Sequence, residues 1–175
     1  MTGSSETIRE FLTRTPFFGG LDDAGLDRII AMLRESTFKT GQCVFKEGDT
    51  GRSMYVIARG EIVMCRSGEK GHQIKLVRLR EGDFFGETTL IEMQPRPFTV
   101  TAEVDTRLHE LTGKDLYTLY KQDVTGYVLV LQNINRELCR RLRKADTRIT
   151  EIASDAGDEV TQIGASAFRR PPVKP

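Results

Sequence analysis

Residues 82–103 read GDFFGETTLIEMQPRPFTVTAE. Phe84 and Phe85 supply apolar anchors, and Gly86 permits a backbone conformation or a close approach that a side chain would block. Glu87 opens a short segment that runs to Met93. If residues 87–92 form one or two helical turns, the N–H groups of Thr88 and Thr89 are unpaired first-turn donors and make a small anion cradle. Arg96 stands nine residues beyond Glu87, at the start of an apolar strand, where a guanidinium can reach the same cradle and meet a phosphate with paired hydrogen bonds. A carboxylate beside that arginine is then available to sugar hydroxyls. Spacing alone leaves a second reading open, an ordinary Glu87–Arg96 ion pair across a turn.

Upstream of this stretch, Gly41, Gly48, Gly51, Gly60, Gly68, Gly71, Gly82 and Gly86 separate short segments rich in Val, Ile, Tyr and Phe. Short strands joined by tight turns follow from that texture. The expected strands are 53–58, 61–66, 73–79, 98–104 and 107–111. In 98–104, Phe98, Val100, Ala102 and Val104 alternate with Thr99, Thr101 and Glu103, the period of a sheet with one wet face. Several such strands at about 8 to 12 residue spacing argue for a sandwich, barrel or jelly roll and against a parallel sheet.

Helical patterns flank the strands. In the first 35 residues Ile8, Phe11 and Leu12 share one face, and Leu26, Ile29, Ile30 and Leu33 share another, broken apart by Pro16 and the Gly19-Gly20 pair. A short helix is expected near 114–121 and a long one over about 125–152. Along the long one Leu131, Ile134, Leu138, Leu142, Ala145, Ile149 and Ile152 are separated by 3, 4, 4, 3, 4 and 3, close to a heptad seam. A homodimer paired through this helix is therefore expected. The basic run of Arg136, Arg140, Arg141, Arg143, Lys144 and Arg148 reads as a solvated face of the same helix. The expected division is an N-terminal arm over 1–14, partly helical, a barrel domain over 15–124, the long helix over 125–152 and a disordered tail over 153–175.

Composition excludes several functions. The chain has 175 residues, with 26 Lys plus Arg against 25 Asp plus Glu and a formal charge of +1, so no global basic field is present to hold nucleic acid and any anion site must be local. No apolar run is long enough to span a bilayer, and the N-terminus MTGSSETIRE lacks a signal-peptide layout, so the expected compartment is the cytoplasm, without membrane association. Cys43, Cys65 and Cys139 lack CxxC spacing and read as reduced, buried thiols. His72 and His109 are too few and too far apart for a metal triad, and neither GxSxG nor a P-loop occurs. No enzyme activity, metal or cofactor is expected.

FGETTLIEMQPRPFTV resembles the phosphate-binding cassette of the cyclic nucleotide-binding domain family. TPFFGGLDDAGLDRIIAML is similar to that family's N-terminal helical element, and FKEGDTGRSMYVIARGEIVM to its early hairpin, in the same order. The resemblance implies a mainly β fold with flanking helices: an eight-stranded jelly-roll barrel with N-terminal helices and a long C-terminal helix, binding a 3',5'-cyclic nucleotide. It implies that Glu87 binds the ribose 2'-hydroxyl, that Arg96 binds the cyclic phosphate, and that the N–H groups of Gly86, Thr88 and Thr89 complete the phosphate contacts. The candidate ligand-binding set is Phe85, Gly86, Glu87, Thr88, Thr89, Arg96, Pro97, Phe98 and Thr99.

Two positions depart from the family pattern. Pro97 follows the arginine where the family carries a residue with an N–H, and losing one charge-assisted hydrogen bond costs about 1.5 to 3 kcal/mol, or roughly ten- to hundredfold in affinity. Phe98 stands where the family has a small residue; it either lines the pocket or, as its alternation with Val100 favours, packs into the core. Pro97 also lacks the hydroxyl that guanine-selective members often use, which favours cyclic AMP. The resulting reading is a cyclic-nucleotide sensor acting through its C-terminal helix on an unidentified protein partner. The alternative is a structural dimerisation module whose cassette has lost its ligand. Only 23 residues follow Ile152, so a helix-turn-helix domain and direct DNA binding are not expected.

Overall fold

Antiparallel strands form where the glycines punctuate the sequence in the computed structural model, which describes residues 7–68 and 72–156. The eight strands are β1 (Arg34–Phe38), β2 (Cys43–Phe45), β3 (Ser53–Arg59), β4 (Glu61–Ser67), β5 (Gln73–Arg80), β6 (Phe84–Phe85), β7 (Thr99–Ala102) and β8 (Thr106–Thr112). They make two four-stranded sheets, ordered β1-β8-β3-β6 and β2-β7-β4-β5. Ile57, Phe85 and Leu108 from the first sheet meet Ile62, Leu79 and Val100 from the second in one buried core. Each such side chain, fully removed from water, contributes on the order of 1.5 to 3 kcal/mol. This is the jelly-roll arrangement expected from the resemblance.

Helices flank the sheets. Helix α1 (Ile8–Arg14) starts at a capping box between Thr7 and Glu10, and α2 (Asp23–Met32) at the Asp22 carboxylate, which accepts from Gly25 N–H. A 3-10 turn, Pro16–Phe18, lies between them and buries Phe17 and Phe18. Helix α3 (Thr88–Glu92) is short, α4 (Gly113–Gln122) begins at a Thr112–Asp115 capping box, and α5 (Val124–Ala156) is the long helix. By internal contact the chain divides into residues 1–136 and 137–175. In the first, Val130 and Ile134 of α5 are buried. In the second, Leu142, Ile149 and Ile152 are exposed by 62%, 64% and 61%, an open apolar stripe at heptad spacing.

The structure corrects several expectations. The helical reading of the first 35 residues ends at Met32; Leu33 caps α2, and Arg34–Phe38 is extended because it pairs with β8. The expected strand 98–104 shrinks to Thr99–Ala102. Phe98 lies before it, and Val104 is 46% exposed because the Asp105 carboxylate accepts from Thr40 N–H and Lys39 and draws the chain into a turn. The long helix runs to Ala156, four residues beyond its expected end, and the remainder of the expected disordered tail, 157–175, lies outside the described residues. Cys65 is buried, but Cys43, on a short strand, and Cys139, on α5, are exposed.

Candidate functional site

Two backbone hydrogen bonds fix the segment that carries the arginine. Arg96 N–H donates to the Asp49 carbonyl at 2.9 Å, and Gly48 N–H donates to the Arg96 carbonyl at 2.9 Å. The loop between β2 and β3 thus holds Arg96 in register, with its side chain directed inward and only 3% exposed.

Neutral acceptors receive the guanidinium. Nη1 donates to the Ser53 carbonyl at 2.7 Å, the Gly86 carbonyl at 3.0 Å and Thr89 Oγ1 at 3.1 Å; Nη2 donates to Ser53 Oγ at 3.2 Å. Thr89 Oγ1 donates its own hydrogen to the Gly86 carbonyl at 2.9 Å, which leaves its lone pairs to Arg96. Ser53 therefore grips the far end of the guanidinium with both carbonyl and hydroxyl. Among the described residues no acceptor meets Nε–H. The side-on edge formed by Nε and Nη2 is the one that matches two oxygens of a phosphate or carboxylate.

Glycines make the room for this arrangement. Gly86 has φ +82°, and a Cβ there would sit 2.6 Å from Arg96 Nη1 and 3.1 Å from the Ser53 carbonyl. A Cβ on Gly51 would collide with Nε and Cζ of the same guanidinium. The Phe45 ring lies 4.1 Å from Arg96 Cζ and the Tyr55 ring 5.9 Å away. Burial pushes the guanidinium below its ordinary pKa, while Tyr55, Glu110, Asp49 and Glu87 oppose that shift through their charge. The group remains a cation.

The other expected site residues fall at different distances from this centre. Glu87 is 3% exposed and precedes α3, with helical φ and ψ; its charge acts on Arg96, while the guanidinium's hydrogen bonds go to Ser53, Gly86 and Thr89. Leu90 and Ile91 N–H both bond to the Glu87 carbonyl, so the N–H groups of Thr88 and Thr89 have no acceptor within α3. Phe85 is a core residue, stacked on Tyr55 at 5.3 Å. Pro97 and Phe98 are half-buried. Because β7 starts at Thr99, the alternation that favoured placing Phe98 in the core beside Val100 does not reach it. Thr99 Oγ1 accepts from Glu47 N–H at 3.0 Å and is engaged with the β2–β3 loop.

Sequence reasoning missed Phe45, Gly51, Ser53, Tyr55 and Glu110. A signal existed for three of them. Strand alternation puts Ser53 and Tyr55 on the face of Ile57 and Glu110 on the face of Leu108, and Ile57 and Leu108 point to the core.

The fold is a two-sheet jelly roll that buries an arginine against a glycine-opened turn. Residues 35–123 match the cyclic nucleotide-binding domain family, and the chain belongs to that family. The Cyclic AMP receptor protein of Thermus thermophilus is 30% identical over 135 residues, 77% of this chain and 61% of that protein. A cGMP-dependent protein kinase of Toxoplasma gondii is 38% identical over 95 residues, 54% of this chain and 9% of the kinase. The chain thus spans less than two thirds of either relative. Among solved structures, the catabolite activator protein of Thermus thermophilus superposes with a TM-score of 0.69 at 29% identity, covering 79% of this chain and 63% of that one. The regulatory domain of Toxoplasma gondii PKA, crystallised with cAMP, gives 0.62 at 25% identity, covering 74% of this chain and 48% of that one.

Proposed function

We propose that this chain is a cyclic-nucleotide sensor, a binding and regulatory module without catalysis of its own. The observation that carries this reading is the buried Arg96, gripped at one end by Ser53 and Gly86 with its side-on edge left for a single phosphodiester. The phosphate binds that edge and the N–H groups at the start of α3, and Glu87 accepts from the ribose 2'-hydroxyl. Helix-start dipoles and one arginine suffice for one negative charge. Pro97 has no N–H and no hydroxyl to offer, which makes the phosphate site weaker than one with a donor there and favours cyclic AMP over cyclic GMP.

Output passes through α5. The exposed stripe of Leu142, Ile149 and Ile152 supports pairing with a second copy, since burying apolar side chains at heptad spacing is what drives a two-stranded coil. A nucleotide shifts that pair only by its differential affinity for two arrangements. A thermal-shift comparison of cyclic AMP, cyclic GMP and non-cyclic AMP tests the reading. Cyclic AMP should raise the midpoint most, by mass action. An unchanged midpoint with all three at millimolar concentration leaves the alternative, a dimerisation module that has kept the barrel and lost the ligand.

A further inference from the structure

The barrel brings four side chains from three parts of the sequence into one file of hydrogen bonds. Arg96 Nη2 donates to Ser53 Oγ at 3.2 Å, Ser53 Oγ lies 3.3 Å from the Tyr55 hydroxyl, and that hydroxyl lies 3.3 Å from Glu110 Oε1. Tyr55 and Glu110 are direct cross-strand partners of β3 and β8. The direction of the file is fixed by its ends. Arginine only donates and an ionised carboxylate only accepts, so Ser53 and Tyr55 must each pass one hydrogen the same way, towards Glu110. A file that runs from cation to anion is polarised along its length.

Its surroundings keep it in place. Tyr55 packs in a three-ring cluster, stacked on Phe85 at 5.3 Å and 6.1 Å from Phe45, so its hydroxyl has little freedom to turn away. The Tyr55 phenol is a donor at neutral pH, and burial pushes its pKa further up. Without an acceptor at the far end, the Tyr55 hydroxyl is free to turn its hydrogen to Ser53, and the Ser53 hydroxyl is then free to present a hydrogen to the guanidinium in place of a lone pair.

We propose that Glu110 is a positioning residue for Arg96, acting through Tyr55 and Ser53 to hold the end of the guanidinium so that its Nε and Nη2 edge stays presented to an anion. The role rests on the nucleotide-binding reading and goes beyond it, because Glu110 lies on β8 outside the cassette and acts on the ligand through Arg96.

Nitrogen-15 NMR of the arginine side chains in the nucleotide-free chain tests the relay without any ligand. Arg96 should give narrow guanidinium signals with slow hydrogen exchange. Tyr55→Phe and Glu110→Ala should each broaden them and speed exchange about tenfold or more, while Glu110→Gln, which keeps an acceptor oxygen, should restore most of the protection. In cyclic AMP titrations Tyr55→Phe and Glu110→Ala should each weaken binding about three- to tenfold, the size of one hydrogen bond, and the double variant no more than either alone. Ser53→Ala, which removes the middle link at little steric cost, serves if Tyr55→Phe does not fold. Arg96 signals indifferent to all of these changes, or additive losses of affinity, overturn the relay. Signals that respond as expected in a chain that binds no cyclic nucleotide leave the relay standing and refute the nucleotide reading alone.

Discussion

The Arg96 guanidinium carbon lies 4.1 Å from the centre of the Phe45 ring. An aromatic face against a desolvated cation is worth on the order of 2 kcal/mol. This contact, with four hydrogen bonds to neutral acceptors, lets the fold carry a guanidinium that burial disfavours. The guanidinium's hydrogen bonds go to Ser53, Gly86 and Thr89, while Asp49, Glu87 and Glu110 act on it through their charge.

Phe45→Leu should therefore lower stability by about 1 to 2 kcal/mol, since apolar bulk is largely kept and the cation–π contact is lost. Urea denaturation followed by circular dichroism checks this. An equal loss in the Arg96→Met background would mean that Phe45 contributes only packing.

Gly86→Ala should cost about 1 to 3 kcal/mol, because φ +82° strains any L side chain and the new methyl would meet Arg96 Nη1 and the Ser53 carbonyl. Gly82→Ala carries the same backbone strain at φ +85° but has nothing within 4 Å of its Cβ. Both variants should be destabilised, and only Gly86→Ala should abolish nucleotide binding in a calorimetric titration at a temperature where both remain folded.

Much of the fold is legible in the chain because β3, β4 and β8 are long enough for their side chains to sort, and β5, though mostly exposed, is a long run of Ile, Leu and Val between turn signals. The segments that were not legible lack that sorting. Arg34–Phe38 reads RESTF and is mostly exposed, Cys43–Phe45 has three residues and a register shift, and Phe84–Phe85 has two. These strands exist because longer partners pair with them. The site divides in the same way. Gly86, Thr89 and Arg96 sit within one cassette and could be read by spacing. Ser53 and Tyr55 meet Arg96, and Glu110 reaches it through them, only once β3 and β8 pair and the barrel closes, and no local pattern reports that closure.

His109 should give the fold a pH dependence. Its ring lies against Phe11 at 5.9 Å and its buried Nδ1 has no partner among the described residues. Burial holds its pKa below the ordinary 6.5, with Glu35 pulling it up and Arg107 pushing it down. The unfolded chain thus takes up this proton more readily than the folded one. Stability should be full above 6.5, fall as pH drops below that value, and level off beneath the lowered folded pKa. Urea midpoints across this range should flatten in His109→Gln; an unchanged slope would assign the dependence to other groups.

Ile149→Asp tests the open stripe of α5. In an isolated chain a carboxylate at a position 64% exposed costs little, whereas in a paired helix it is buried against its counterpart. Sedimentation should give a dimer for the parent chain and a monomer for the variant, with unchanged melting of the barrel. A parent chain that sediments as a monomer contradicts the pairing.

In the proposed function Arg96 receives a cyclic phosphate. Isothermal calorimetry of the parent chain with cyclic AMP should give saturable, one-site binding, and Arg96→Ala should weaken it by at least about tenfold while the variant stays folded. Saturable binding that survives Arg96→Ala unchanged, or no heat from the parent chain at millimolar cyclic AMP and cyclic GMP, would contradict the account.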